Sequence, residues 1–178
     1  MPKNRKNILE KAKKVKLLLL DVDGVLTDGS IFYDERGREI KRFFVQDGQG
    51  IRWLQRVGIE VGFLSGRSSP AVNKRARELE IKYLFQDIRD KIKAFEKVLR
   101  QADLLPEQVS YMGDDFIDLP LLKRVGLSIG VPNGHPLVYK EVDYITQAAG
   151  GNGAVREVCE LILQAQDKWE SLLREYGL

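Results

Sequence analysis

A doubly wound α/β fold, Rossmann-like with a mainly parallel sheet and helices on both faces, is predicted by three observations. Six short apolar runs alternate with amphipathic helical patterns along the chain. The first, LLLL at 17–20, shows no polar alternation. Three of the runs stop abruptly in acidic or Ser-Gly residues. Alternating strands and helices imply crossover connections and a sheet covered on both faces. A strand buried on both faces reads as an unbroken apolar run. Ligands of such sheets bind outside the carboxyl ends of the strands, so the polar residues that follow the runs are expected to share one crevice.

In chain order, the basic segment 1–14 places Ile8, Leu9 and Ala12, with Val15 just beyond, at helical spacing, and is expected to lay one apolar stripe on the body. Strands are expected at 15–20, 60–64, 83–86, 109–112, 127–130 and 143–146. Helical patterns fall at 50–58, 70–80, 90–103 and 115–126, with one long C-terminal helix over 154–178. Gly58 and Gly126 stand where helix C-caps are expected. Residues 30–45 form two extended arms around Asp34-Glu35-Arg36-Gly37, which predicts a β-hairpin flap. An isolated hairpin is marginal in water, so Phe32, Tyr33, Phe43 and Phe44 need a surface from this protomer or another. No insert between Asp28 and Lys91 is long enough for a cap domain.

The chain has 178 residues, 43% of them hydrophobic, a length and composition that suit one domain over 1–178. A net charge of +3 without a basic stripe gives no reason to expect nucleic acid as a partner. No apolar stretch approaches the ~20 residues of a membrane span, and Asp21 cuts the first run short of a signal-peptide core. The single cysteine, Cys159, precludes an internal disulfide and favours a cytoplasmic location. Cys159 falls among Val155, Val158 and Ile162, as a core thiol would. His135, in PNGHP, reads as a turn residue, and Trp53 and Trp169 as packing residues.

The chemistry lies at the strand ends. LLLL runs into Asp21-Val22-Asp23-Gly24, VGFL into Ser65-Gly66-Arg67, and VSYM into Gly113-Asp114-Asp115, with Asp118 four residues after Asp114. Lys91 opens the helix after a fourth strand. The two-residue period of an extended chain puts Asp21 and Asp23 on one side. Carboxylates this close repel unless a cation or dedicated donors intervene. Without histidine or further cysteine, the set is all-oxygen and suits Mg²⁺. Ser65 and Gly66, ahead of a helix, offer a hydroxyl and free backbone N–H groups to a phosphate, and Lys91 adds a point charge. The chemistry of such a site is phosphoryl transfer, with Asp21 as nucleophile and Asp23 as acid and base.

At these residues the sequence resembles the haloacid dehalogenase-like phosphatases, through DVDGVLTDG, the serine of LSGR, the lysine of RDKIKAF and GDDFID. The resemblance implies Asp21 as nucleophile, Asp23 as acid/base, and Ser65 and Lys91 as phosphate holders. It implies Mg²⁺ on Asp21, Asp114 and the backbone carbonyl of Asp23, with Asp115 and Asp118 as supporting candidates. Over residues ~10–165 the chain is similar to one branch of that family, the 3-deoxy-D-manno-octulosonate (KDO) 8-phosphate phosphatases, which are capless, tetrameric and Mg²⁺-dependent and serve lipopolysaccharide synthesis. Carried over, Phe44, Val45, Gln46, Asp47, Gly48, Gly66, Arg67 and Arg75 would contact the sugar acid along with Asp23 and Lys91. The GGNGAVRE stretch belongs to a region that in this branch reaches a neighbouring active site, with Arg156 as its contact. The expected partners are a phosphorylated sugar acid and three further copies of the chain. The alternatives are a nine-carbon substrate (KDN or N-acylneuraminate 9-phosphate), a macromolecular phosphate, and a scaffold without catalysis.

Overall fold

The structure is a computed structural model that describes residues 5–177. Along the chain, α1 (Arg5–Ala12) leads into β1 (Leu17–Leu20), then a flap of two short strands, β2 (Phe32–Tyr33) and β3 (Glu39–Ile40), and α2 (Val45–Arg56). Next come β4 (Glu60–Leu64), α3 (Pro70–Glu78), β5 (Tyr83–Phe85), α4 (Lys91–Ala102) and β6 (Val109–Met112). The chain continues through α5 (Leu119–Leu122), β7 (Leu127–Gly130), α6 (Pro136–Glu141), β8 (Tyr144–Ile145), α7 (Ala154–Ala165) and α8 (Trp169–Glu175).

All six predicted strands form, in one parallel sheet of order β5-β4-β1-β6-β7-β8. The four leucines of β1 are fully buried. Leu18 and Leu20 join the core under α1, α2, α3, α7 and α8, whereas Leu17 and Leu19 face α4, α5 and α6. Alternate residues thus serve opposite helix layers, which is why the run carries no polar position. After β1 the chain builds outward through β4 and β5 on one side, then returns to build β6, β7 and β8 on the other. That reversal leaves a crevice at the carboxyl end of β1.

Several local expectations need correction. The C-terminal helix is broken: α7 stops at Ala165, Asp167 takes φ +57°, and α8 restarts at Trp169. The apolar pattern continues across the break because Trp169 and Leu172 still face the core. Residues 115–126 hold a turn of 3-10 helix (Phe116–Asp118) and the single turn of α5, not one helix. Gly58 does take the left-handed cap, at φ +82°. Gly126 does not; a Cβ there would stand 2.3 Å from the Glu107 carbonyl oxygen, so close packing requires the glycine. The basic segment forms α1, with Ile8 and Ala12 buried, while its residues 1–4 lie outside the described residues. The flap exists, but its ladder is two residues per strand; Phe32, Tyr33 and Ile40 are exposed on this protomer, whereas Phe43 and Phe44 are half-buried. Cys159 is buried in the core, as expected.

The tail is held by aromatic contacts. Trp53 meets Trp169 edge-on at 5.7 Å and Tyr176 at 6.0 Å, and its indole N–H donates to the Tyr176 hydroxyl. Trp169→Ala is expected to cost about 2 kcal/mol, below the 3–5 of a fully buried tryptophan because its ring is only half covered. Denaturant unfolding checks this value. Among the described residues, no helix is long and apolar enough to cross a membrane.

Candidate active site

Asp21 follows β1 directly, and its backbone N–H donates to the Met112 carbonyl across to β6. Its Oδ1 lies 2.9 Å from Lys91 Nζ. Lys91 reaches back from the first position of α4, where Asp90 caps the helix by accepting from the N–H groups of Ile92 and Lys93. The same ammonium donates to Asp118 Oδ1 at 2.6 Å and to the Tyr111 hydroxyl at 3.0 Å. Carboxylate oxygens of Asp21, Asp114 and Asp118 all lie within 4.8 Å of one another. Acids from separate loops converge, as the strand-end argument predicted.

The three acids are not equivalent. Asp118 is fully buried, and both its oxygens are occupied. Oδ1 accepts from Lys91 and Tyr111, and Oδ2 from the backbone N–H groups of Asp114 and Asp115. It orients Lys91 and the GDD turn, which leaves Asp21 and Asp114 as the pair open to a cation. Asp115 stands apart from the group; its carboxylate caps the 3-10 turn by accepting from Phe116 N–H. Gly24 makes room for the pair. It sits at φ +97°, and a Cβ there would stand 2.0 Å from Asp114 Oδ2.

Charge at the site is unbalanced toward the negative. Burial pushes Asp21 up to about 6, although Lys91 pulls the other way. Burial together with the charges of Asp21 and Asp118 pushes Asp114 up to about 8. Burial disfavours the charged form of Lys91, but Asp21 and Asp118 outweigh it and the net shift is upward. The donor set fits a hard divalent cation: carboxylate oxygens, excess negative charge, and neither imidazole nor thiolate among them.

Asp23 does not compete for Lys91. The backbone leaves the strand at Leu20, and Asp23 pairs instead with Lys41 from the flap, with Arg67 3.7 Å away. Each carboxylate of the DVDG motif therefore has its own cation, which is how the two coexist. Ser65 is buried at the end of β4, next to β1 in the sheet, and its Oγ accepts from Arg67 N–H. The helix behind it begins only at Pro70, so Ser65 and Gly66 belong to a loop and not to the helix N-terminus.

Of the residues proposed to grip a sugar acid, Arg67 pairs with the flap, whereas Arg75 and Arg156 sit against the first turn of α2. Arg67 is held by Glu39 at 2.5 Å. Arg75 lies beneath the first turn of α2, with its guanidinium 5.8 Å from the Phe43 ring centre and a 3.4 Å contact to Glu78. Gly48 leaves it space, since a Cβ there would stand 2.2 Å from Arg75 Nη2. Val45 and Gln46 are exposed on the first turn of α2, and Phe44 precedes it. Asp47 is turned inward; its Oδ1 accepts from Arg156 N–H at the start of α7, and burial raises it to about 6. Its Oδ1 ties α2 to α7, while its buried Oδ2 has no hydrogen-bond partner among the described residues. Arg156 stacks 3.7 Å from the Trp53 ring centre and pairs with Glu160, so in this protomer it is engaged by its own chain.

Four residues at or beside the site escaped the sequence reading. The sequence places Tyr111 only within a buried strand. Asn133 donates to the Gly24 carbonyl and accepts from Gly150 N–H, clamping the GGNG stretch onto the loop after β1. Glu39 and Lys41 lie on the flap. A hydroxyl-bearing ring within a strand that ends in Gly-Asp-Asp was the available signal for Tyr111; the other three had none.

Comparison with known proteins agrees with this geometry. A family model described as haloacid dehalogenase-like hydrolase matches residues 86–158. The 3-deoxy-D-manno-octulosonate 8-phosphate phosphatase of Escherichia coli K12 is 46% identical over 162 residues, covering 91% of this chain and 86% of its own length. A crystal structure of the Moraxella catarrhalis phosphatase of that name, in complex with magnesium, phosphate and KDO, superimposes with a TM-score of 0.95 at 42% identity, covering 97% of this chain and 99% of the other. A cobalt-bound Haemophilus influenzae phosphatase superimposes with a TM-score of 0.89 at 41% identity, covering 94% and 98% of the two chains. With its sheet order, its carboxylate pair and these similarities, the chain belongs to the haloacid dehalogenase-like hydrolases, among the 3-deoxy-D-manno-octulosonate 8-phosphate phosphatases.

Proposed function

We propose that this chain is a Mg²⁺-dependent phosphomonoesterase that hydrolyses 3-deoxy-D-manno-octulosonate 8-phosphate to KDO and phosphate. The observation that carries the reading is the meeting of Asp21, Asp114 and Lys91 at the carboxyl end of β1. The sugar comes from the relatives and from the KDO bound in the Moraxella protein. Asp21 and Asp114, with the Asp23 backbone carbonyl, would hold the cation. When bound, Mg²⁺ supplies the positive charge that offsets repulsion between a carboxylate and a phosphate dianion. Lys91, fixed by Asp118 and Tyr111, adds a second charge on the phosphoryl oxygens, and Ser65 donates its hydroxyl to them. Asp21 attacks phosphorus to give an aspartyl-phosphate. Asp23 protonates the leaving sugar oxygen and later takes a proton from the attacking water.

Gly66 and Arg67, at the mouth, are the first candidates for the sugar acid, followed by the exposed face of 44–46 and Gly48. In this reading Arg75 and Arg156 act only after leaving Phe43 and Trp53. The whole chain serves as one catalytic unit without a cap. Exposed Ile31, Phe32, Tyr33 and Ile40 on the flap support assembly into a homotetramer whose flaps cover neighbouring mouths. A single buried cysteine supports a cytoplasmic place in lipopolysaccharide synthesis.

Phosphate release from a panel of eight- and nine-carbon sugar acid phosphates tests the reading. Fastest turnover is expected on the eight-carbon ester, with loss in chelator and recovery on adding Mg²⁺. Preference for a nine-carbon ester would move the substrate, and no release from any would favour the scaffold.

A further inference from the structure

Lys41 directly follows β3 at the base of the flap, and its side chain is 1% exposed. Its ammonium donates to Asp23 Oδ1 and lies 3.2 Å from Glu39 Oε1. Arg67, from the loop after β4, reaches Glu39 Oε2 at 2.5 Å and comes within 3.7 Å of Asp23 Oδ2. Two carboxylates and two cations thus interlock across the flap, the loop after β1 and the loop after β4. A lysine is almost never fully buried without a partner, and this one has two.

The two oxygens of Asp23 differ. Oδ1 is bound by the buried ammonium. Oδ2 takes no hydrogen bond among the described residues, because 3.7 Å is too long for one. A group that hands a proton to a leaving oxygen needs a free oxygen and a fixed carboxyl plane, and Oδ2 has both.

We infer that Lys41 is a positioning residue for Asp23: it ties Oδ1 so that Oδ2 meets the leaving-group oxygen. The inference rests on the acid/base reading of Asp23. In the first half-reaction the proton on Oδ2 passes to the bridging ester oxygen as that oxygen's bond to phosphorus breaks and the Asp21–phosphorus bond forms. Asp23 is left as a carboxylate. In the second half it takes a proton from water as the water oxygen bonds phosphorus and the Asp21–phosphorus bond breaks. Because Lys41 sits at the base of the flap, the placement of the flap and that of the acid are coupled.

The test compares the parent with Lys41→Met, Lys41→Arg, Asp23→Asn and the Asp23→Asn/Lys41→Met double variant. Each is assayed on p-nitrophenyl phosphate, whose leaving group needs no acid, and on the unactivated eight-carbon ester, both with saturating Mg²⁺. Lys41→Met is expected to lower kcat on the sugar ester at least ~10-fold and on p-nitrophenyl phosphate less than ~3-fold, a fraction of the 10²–10⁴ that a general acid contributes. The double variant is expected to be no slower than Asp23→Asn, since the two residues act as a unit. Lys41→Arg guards against a folding failure. It keeps the charge, but its forked donors engage both carboxylate oxygens, so the same split is expected at an unchanged melting temperature. Equal losses on both substrates, a rise in KM alone, or full recovery in Lys41→Arg would reduce Lys41 to an anchor of the flap and overturn the inference. If Asp23→Asn itself shows no split, the acid/base reading fails first; if it does and Lys41→Met does not, only the inference fails.

Discussion

Asp21→Asn is expected to abolish phosphate release, by at least ~10³-fold or about 4 kcal/mol of transition-state stabilisation, while leaving the fold intact. The amide has nearly the volume of the carboxylate but is not a nucleophile toward phosphorus. The surroundings should hold without it. Lys91 retains Asp118 at 2.6 Å and Tyr111 at 3.0 Å, and the backbone hydrogen bond from residue 21 to Met112 does not depend on the side chain. Burial already raises the Asp21 carboxyl to about 6, so its charge is costly in the metal-free protein. A neutral amide is therefore expected to leave the metal-free melting temperature unchanged or raise it. At a protein of this size, 1 kcal/mol corresponds to roughly 2–4 °C. Release assays and a thermal melt in chelator together check the claim. Retention of a tenth of the parent rate would remove Asp21 from the role of nucleophile, and a fall of many degrees would show that its part is structural.

The sheet was legible because β1, β4, β6 and β7 bury mostly apolar runs on two faces, and burial on both sides leaves a compositional trace that needs no knowledge of partners. The carboxylate cluster was legible for a related reason. A parallel sheet aligns all strand ends, so any acid directly after a strand falls near the others, and Asp21 and Asp114 did. Lys91 was placed by the same logic, as the first residue of a helix that starts at that end.

What was not legible depends on side-chain direction or on tertiary pairing. Asp21 and Asp23 are expected on one side of the chain, yet their carboxylates pair with Lys91 and Lys41 on separate elements. The second pairing spans the flap, whose fold back onto the loop after β1 has no local signature. Asp118 shares a turn with Asp114, yet the two backbone N–H groups of the GDD turn and the Lys91–Tyr111 pair saturate it. The ring contacts of Arg75 with Phe43 and of Arg156 with Trp53 likewise join separate elements, since a guanidinium stacks readily on an aromatic face. The break between α7 and α8 was hidden because hydrophobic positions continue on both sides of a left-handed Asp167.

Removing Mg²⁺ is expected to make stability depend steeply on pH, and restoring it to remove most of that dependence. In the metal-free protein, burial raises Asp21 to about 6, and burial with neighbouring acids raises Asp114 to about 8, both from 3.8. A carboxyl whose folded pKa lies above its unfolded one binds protons more tightly when folded, so its contribution is complete below about pH 4 and is lost as pH rises through the folded value. Metal-free stability is therefore expected to fall between about pH 5 and pH 8. The loss should be ~2–4 kcal/mol, below the ceiling that two such shifts imply at ~1.4 kcal/mol per unit, because water enters and the loops relax around half-buried Asp114. A divalent cation favours both ionised forms, so its affinity should rise across the same interval and its stabilisation of the fold should be larger at pH 8 than at pH 6. Thermal melts at pH 5, 6, 7 and 8, in chelator and in millimolar Mg²⁺, read both effects. Asp114→Asn is expected to flatten the upper part of the chelator curve and to weaken the response to Mg²⁺. Parallel curves with and without Mg²⁺, offset by a constant at every pH, would mean that the cation binds somewhere other than on these two carboxylates.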